Sequence, residues 1–192
     1  MGSTMRPVRL RRSPLLGATL CALLALGAAS CSGGSDPTDD GHTVVPAVNA
    51  TTAPLLPTDA AELPTFDPST YQTLLGQLEG TPVVVNIWGS WCAPCRDEAA
   101  ALVAAHRRYG HDVQFLGIDI LDARGSARDY QKEFEITYPS VFDQPGRIRD
   151  SLGVLGQPVT LFYDRSGALV DTWMGAIPQD QLQKGLDEIT RS

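Results

Sequence analysis

The chain contains 192 residues, with 15 Lys and Arg against 22 Asp and Glu, and its net charge is −7. This length predicts one domain with extensions. The arginines that precede residue 31 all lie near the N-terminus, so the remainder of the chain is strongly acidic. An acidic domain excludes nucleic-acid binding that depends on basic patches.

Residues 1–30 have the three parts of a secretory signal peptide. A basic stretch ends at Arg12, an uncharged and mainly apolar run covers 15–29, and small residues precede Cys31. The apolar run is shorter than the roughly 20 residues that a membrane-spanning helix needs. This pattern predicts that the protein is exported from the cytoplasm.

Cys31 is the candidate lipidation site, because small residues directly before a cysteine resemble a bacterial lipoprotein processing site. Ala28 departs from that pattern, which prefers Leu at this position. Plain cleavage and a retained signal anchor stay open as alternatives. Residues 31–65 are rich in Gly, Ser, Thr, Asp and Pro, which predicts a flexible, lipid-anchored linker on the extracytoplasmic face of the cell membrane.

The globular domain is predicted at 66–192. Helices are expected at 69–78, from the cysteines to Tyr109, at 126–134, at 148–152 as a short helix or turn, and at 178–190; strands are expected at 82–88, 113–121, 138–142, 159–163 and 168–174. The early elements alternate between strand and helix, and the late ones form a hairpin followed by a helix. This order predicts an α/β fold in which a central mixed sheet carries helices on both faces.

The strongest chemical signal is Trp91-Cys92-Ala93-Pro94-Cys95, which follows a buried strand and opens a helix. A C-x-x-C sequence in this setting is typical of a redox-active dithiol. The unpaired N–H groups and partial positive charge of a helix N-terminus stabilise a thiolate, so Cys92 is expected to be the attacking sulfur. Cys95 is expected to be more buried and to resolve the mixed disulfide that forms at Cys92.

Three other uses of the cysteine pair agree less well with the sequence. A purely structural disulfide would close a very small loop and constrain the unfolded chain little. A structural zinc site needs four ligands, and His106 and His111 belong to no ligand motif. Covalent haem attachment needs C-x-x-C-H, and position 96 is Arg. We therefore predict no metal site and no cofactor other than the Cys92–Cys95 disulfide.

Two segments resemble a known family. The stretch VVVNIWGSWCAPCRDEAAAL at 83–102 closely resembles the active-site segment of the membrane-tethered thioredoxin-fold proteins that include TlpA, ResA and CcmG. The stretch GQPVTLFYD at 156–164 is similar to their second signature. The resemblance implies a thioredoxin-like fold and thiol-disulfide exchange outside the cytoplasm.

The same resemblance implies roles for residues around the cysteines. Pro158 is expected to form a cis peptide bond that faces the disulfide, so that the backbone of Gln157 can pair with an extended substrate peptide. The family often has Thr or Val before this proline, so Gln157 leaves substrate preference and redox poise open. Trp91 is expected to cover the disulfide and to contact the substrate.

Asn86 and Glu98 are the polar residues that the resemblance places beside the site. Asn86 stands where ordinary thioredoxins have a buried Asp as a proton acceptor; an amide cannot titrate, so a structural hydrogen bond is expected. Glu98 corresponds to a Glu that tunes the proton transfers of the cysteines in ResA-like proteins. The alternative for Glu98 is a first-turn carboxylate that is stabilised by the helix dipole.

The predicted activity is enzymatic exchange of a dithiol and a disulfide with exported cysteine-containing proteins. By resemblance, a reductase is favoured, for example one that acts on apocytochrome c, with a membrane thiol-disulfide protein as electron-transfer partner. An oxidase that installs disulfides is the alternative, and the Ala93-Pro94 dipeptide does not decide between the two. A copper metallochaperone of this fold agrees less well, since it uses C-x-x-x-C and a distal His.

Overall fold

The computed structural model describes residues 53–191, and within them the strands and helices follow the predicted order. The strands are β1 (Val83–Trp88), β2 (Gln114–Ile120), β3 (Ser140–Asp143), β4 (Val159–Tyr163) and β5 (Leu169–Met174). The helices are α1 (Pro68–Gln77), α2 (Ala93–Tyr109), α3 (Arg124–Glu133), α4 (Arg147–Ser151) and α5 (Gln179–Arg191). The predicted bounds differ from these by at most about two residues, the usual uncertainty of element ends.

The strands form one mixed sheet in the order β3-β2-β1-β4-β5. The central strand, β1, is parallel to β2 and antiparallel to β4, and all of its residues are buried. Its run of β-branched residues reflects coverage on both faces. Because β4 and β5 pair as an antiparallel hairpin, the sheet is parallel on one side of β1 and antiparallel on the other.

Helices cover both faces of the sheet. The core on one face joins α2, α3 and α5, and it contains Leu102, Tyr130 and Leu186. The core on the other face joins α1 and α4, and it contains Tyr71 and Ile148. The crossovers β1-α2-β2 and β2-α3-β3 run in the same direction, which places α2 and α3 on the same side when both have the usual right-handed sense. The predicted α/β, thioredoxin-like architecture is confirmed.

Residues 53–65 pack against the domain, although their composition predicts part of the flexible linker. Leu63 is buried in the core on the α2 and α3 face, and Thr65 forms a parallel bridge with Phe142 of β3. The backbone N–H of Phe142 donates to Pro64 O at 2.9 Å. The folded unit thus begins before residue 66, because a buried leucine and pairing with an edge strand offset the entropy of ordering this segment.

The predicted signal peptide at 1–30, the candidate lipidation site Cys31 and the linker up to residue 52 lie outside the described residues. Within 53–191, no helix is long and apolar enough to cross a membrane. Export and lipid anchoring therefore stay predictions.

Candidate active site

The active-site turn connects β1 to α2. β1 ends at Trp88, and Cys92 is the N-cap of α2. The Cys92 sulfur accepts a hydrogen bond from the Cys95 backbone N–H at 3.2 Å, and the two sulfurs form a disulfide of 2.06 Å. Since an N-cap accepts from a first-turn N–H that has no partner within the helix, this sulfur lies where the helix stabilises negative charge.

The two cysteines and the neighbouring tryptophan differ in exposure. Cys92 is 4% exposed and Cys95 is 1% exposed, so both are largely covered, and their roles as attacking and resolving sulfur stay predictions. Trp91 is 54% exposed, and its indole Nε1 donates to Leu121 O at 3.0 Å. An apolar ring that is held by one end and open on its faces can serve as a contact surface for substrate.

Glu98 is buried beneath the site. Its Oε1 accepts from Asn86 Nδ2 at 2.7 Å, and its Oε2 accepts from the Ile177 backbone N–H at 2.7 Å. Burial raises the pKa of Glu98 to about 7, and the two hydrogen bonds oppose this rise. This environment suits the expected acid–base role of Glu98, which stays a prediction, as does the alternative of a first-turn carboxylate that is stabilised by the helix dipole.

Asn86 connects Glu98 to the sheet. Besides its bond to Glu98, its Nδ2 donates to Thr160 Oγ1 of β4 at 3.3 Å. Asn86 and Thr160 are paired across β1 and β4. The amide therefore positions the carboxyl group, in agreement with the structural hydrogen bond that the sequence predicts.

Gln157 and Pro158 precede β4, and the peptide bond between them is cis, as the resemblance implies. Val159 pairs with Ile87, so Pro158 lies at the end of the sheet from which the active-site turn emerges. The Gln157 side chain accepts from Arg149 Nη1 at 3.5 Å. This placement suits the predicted substrate-binding role of Gln157 and Pro158, which stays a prediction.

Three polar residues near the site were missed by sequence reasoning. The Tyr130 hydroxyl donates to Cys95 O at 2.9 Å, and its ring stacks on Trp88 with centroids 4.5 Å apart. Asp122 Oδ2 accepts from the Ser90 backbone N–H at 2.6 Å, and Asp119 is fully buried in β2. Of these three residues, Asp119 is the one that the sequence could have indicated, because it is an acidic residue inside the otherwise mainly apolar run VQFLGIDIL.

Of the two histidines considered as ligands, His106 packs against the core and His111 lies on the surface. The half-buried ring of His106 packs edge-on against Phe115 and Tyr138, and its Nδ1 lies 3.1 Å from Thr137 Oγ1. His111 pairs with Asp112 at 2.9 Å in an exposed position. Among residues 53–191, no group of three or more His, Cys, Asp or Glu could hold a metal ion.

A family model described as the AhpC/TSA family matches residues 58–172, which is more than half of the chain. The chain belongs to the AhpC/TSA family. The match begins before residue 66, in agreement with the packing of 53–65 on the domain. The match includes both cysteines, Glu98 and Pro158, whereas Ile177, whose N–H bonds to Glu98, lies beyond it.

Curated relatives share the predicted chemistry. The thiol-disulfide oxidoreductase ResA of Bacillus thuringiensis subsp. konkukian is 26% identical over 117 residues, which are 60% of this chain and 68% of that protein. The thiol:disulfide interchange protein DsbE of Pseudomonas fluorescens biotype C is 33% identical over 103 residues, which are 53% of this chain and 56% of that protein.

Solved structures of similar proteins share the fold of this chain. A DsbF homologue from Corynebacterium diphtheriae is 31% identical with a TM-score of 0.55, covering 59% of this chain and 75% of its own. A secreted Mycobacterium tuberculosis disulfide oxidoreductase homologous to E. coli DsbE is 26% identical with a TM-score of 0.54, covering 59% and 85%. This member of the AhpC/TSA family is thus a thiol-disulfide oxidoreductase with a Cys92–Cys95 disulfide.

Proposed function

We propose that the protein reduces disulfides in exported proteins outside the cytoplasm, with Cys92 as the attacking sulfur and Cys95 as the resolving one. The observation that carries thiol-disulfide exchange through Cys92 is its position as the N-cap of α2, where its sulfur accepts a hydrogen bond from the Cys95 N–H. A thiolate at this place is stabilised and is the reactive form of cysteine.

The first step forms a mixed disulfide. In the reduced enzyme, the Cys92 thiolate attacks one sulfur of a substrate disulfide, a bond forms between the two proteins, and the second substrate sulfur leaves as a thiolate that takes a proton. The exposed Trp91 and the backbone at Gln157 flank the turn on which this occurs.

The second step releases the substrate. The Cys95 thiol loses its proton, attacks the Cys92 sulfur, and closes the internal disulfide while the substrate leaves with both electrons as a dithiol. Glu98 lies three residues along α2 from Cys95, a spacing that places side chains on the same helix face. With a pKa of about 7, Glu98 can hold or accept a proton near neutral pH.

The direction of reduction is proposed from the resemblance to the TlpA, ResA and CcmG-like proteins, which favours a reductase, because the Ala93-Pro94 dipeptide does not decide the direction. A reducing enzyme suits substrates such as a disulfide in apocytochrome c, which it would return to thiols, with a membrane thiol-disulfide protein resupplying electrons. No bound cofactor is needed for these steps.

Trapping of mixed disulfides tests the assignment of the two sulfurs. A Cys95→Ser variant is expected to accumulate covalent complexes with exported proteins through Cys92, because the resolving thiol is gone. The matched Cys92→Ser variant should trap none. Complexes that form only with Cys92→Ser would reverse the assignment.

The reduction potential of the Cys92–Cys95 couple separates reductase from oxidase. The reduction potential of a reductase should lie near that of thioredoxin, about −270 mV, and the potential of an oxidase should lie near that of DsbA, about −120 mV. Alkylation of the protein in intact cells should correspondingly find the pair mainly reduced. A potential near the oxidising end, with the pair oxidised in cells, would support the oxidase instead.

We also propose that the protein is anchored on the extracytoplasmic side of the cell membrane through a lipid on Cys31. The support is the basic N-terminus, the short apolar run and the small residues before Cys31. Cys31→Ala is expected to block processing or to release the protein from membranes. Unchanged fractionation and apparent mass would favour a retained signal anchor.

A further inference from the structure

Asp119 is a buried carboxyl group that the exchange steps do not use. It lies in β2, in register with Trp88 at the end of β1 and with Phe142 of β3. Within 53–191, neither of its oxygens meets an N–H or O–H donor. A buried carboxylate without a donor is strongly disfavoured, so this group is expected to carry a proton.

Asp122 is the neighbour that can accept a hydrogen bond from that proton, since a side-chain hydrogen bond with Asp122 is among the causes that raise the pKa of Asp119. Two carboxylates only accept hydrogen bonds, whereas a carboxylic acid can donate to a carboxylate. Burial, together with the charge and hydrogen bond of Asp122, raises the pKa of Asp119 to about 9. Asp119 therefore keeps its proton at neutral pH.

Asp122 also contacts the active-site turn. Its Oδ2 accepts from the Ser90 backbone N–H at 2.6 Å, and Ser90 directly precedes Trp91 and Cys92. The preceding residue, Leu121, accepts from the Trp91 indole at 3.0 Å. The two residues that follow Ile120 of β2, Leu121 and Asp122, thus each bind the turn, and Asp122 does so through its carboxylate.

We propose that Asp119 is a positioning residue: it shares a proton with Asp122 and so keeps the Asp122 carboxylate on the Ser90 N–H, which orients the turn that presents Trp91 and Cys92. This inference rests on the proposed role of Cys92 as the attacking sulfur. Loss of the shared proton places two negative charges side by side, moves Asp122 from Ser90 and loosens the turn.

Other groups around the pair come from α3 and the neighbouring strands. Arg124 at the start of α3 attracts the Asp119 carboxylate and opposes the rise in its pKa. The Arg124 guanidinium also bonds to Leu63 O and Thr65 Oγ1, so its charge is shared. Tyr130 of α3 faces Asp119 as a neutral phenol, because burial raises its pKa. The residues that pair with Asp119 on the neighbouring strands, Trp88 and Phe142, do not titrate.

A pH titration of the Ser90 backbone amide by nuclear magnetic resonance tests the pair in the oxidised, full-length protein. The parental resonance is expected to shift with an apparent pKa near 9. Asp119→Asn, whose amide donates to Asp122 at every pH, should remove this shift. The matched control is Asp143→Asn in β3, a buried carboxyl that accepts from Ile148 N at 2.7 Å; it should keep the shift.

The functional readout is the rate at which the reduced enzyme reacts with a small disulfide. The ratio of the Asp119→Asn rate to the parental rate is expected to rise about threefold or more between about pH 8 and about pH 10, as the parental turn loosens. The ratio for Asp143→Asn should stay constant over the same range.

Two results would overturn the inference. One is a parental Ser90 amide that does not titrate near pH 9; the other is the same titration in Asp119→Asn as in the parent. Because the amide is observed in oxidised protein without substrate, this result is independent of which sulfur attacks. If Asp119→Asn fails to fold, the titration of the Ser90 amide in the parental protein alone decides whether the inference holds.

Discussion

Glu98 has two hydrogen bonds and yet a raised pKa. Both donors, Asn86 Nδ2 and the Ile177 N–H, favour the carboxylate and by themselves lower the pKa. Burial disfavours the charged form more strongly, so the pKa rises to about 7. Both protonation states are therefore accessible at the pH at which cysteine exchange operates, which a surface glutamate does not offer.

Glu98→Gln is expected to flatten the pH dependence of stability. As pH rises from about 4.5 to about 7, the unfolded chain loses the Glu98 proton while the folded chain keeps it, so the parental free energy of unfolding falls. The glutamine variant should not show this fall in the free energy of unfolding. The fall amounts to on the order of 3 kcal/mol, because each unit of pKa shift corresponds to about 1.4 kcal/mol. Chemical denaturation of the oxidised protein across this range measures the difference.

Glu188→Gln on the exposed side of α5 is the control for this experiment and should give a curve parallel to that of the parent. The same variants also test catalysis. Glu98→Gln should change the pH–rate profile of exchange, since proton transfer by a positioned group contributes about 100-fold or more where it limits the rate. Identical profiles for Glu98→Gln and the parent would leave Glu98 without a proton-transfer role.

At the scale of elements, α5 lies unusually close to β4. A side chain at Gly185 would begin 2.4 Å from the ring of Phe162, too close for any Cβ. The absence of a side chain thus lets the helix, with its buried Leu182 and Leu186, lie directly on that ring. Glycine normally weakens a helix, so its presence here reflects packing rather than propensity.

Gly185→Ala is therefore expected to destabilise the domain despite the better helix propensity of alanine. The clash with a buried aromatic ring should cost about 1–3 kcal/mol, more than the propensity gain of about 1 kcal/mol. Gly76→Ala in α1 is the matched control, because nothing lies within 4 Å of its added Cβ. Thermal denaturation should show a lower midpoint for the first variant and an equal or higher one for the second.

On the scale of the whole molecule, the segment 53–65 completes the domain. Leu63 lies in the same core as residues of α2 and α3, and Thr65 pairs with the edge strand β3. An uncovered edge strand invites pairing with another chain, so this cover also protects the sheet. The tether that we propose must therefore end before this segment.

Leu63→Ala tests the structural role of the segment. Truncation of a buried leucine is expected to lower the free energy of unfolding by about 2–5 kcal/mol. Leu155→Ala is the matched control, because Leu155 is 86% exposed and surface changes usually stay within about 0.5 kcal/mol. Equal denaturation midpoints for the two variants would show that the segment contributes nothing to the core.

Much of the fold could be predicted because local signals agree. The β-branched run of β1, the turn residues of the β4–β5 hairpin and the amphipathic pattern of α5 each identify one element. The linker boundary could not be predicted in this way. Residues 53–65 have the composition of a linker, and their order depends on a core and an edge strand formed by residues far along the chain.

By itself, the sequence determined which two sulfurs form the site and why they are reactive, since a C-x-x-C pair after a strand and at a helix start is a local pattern. Only the tertiary structure decided what surrounds them. The N–H of Ile177 reaches Glu98 across 79 residues, and Asp122 reaches Ser90 across 32. Such contacts, and the burial that raises the pKa of Glu98, follow from sheet register and helix packing, so they cannot be read from local spacing.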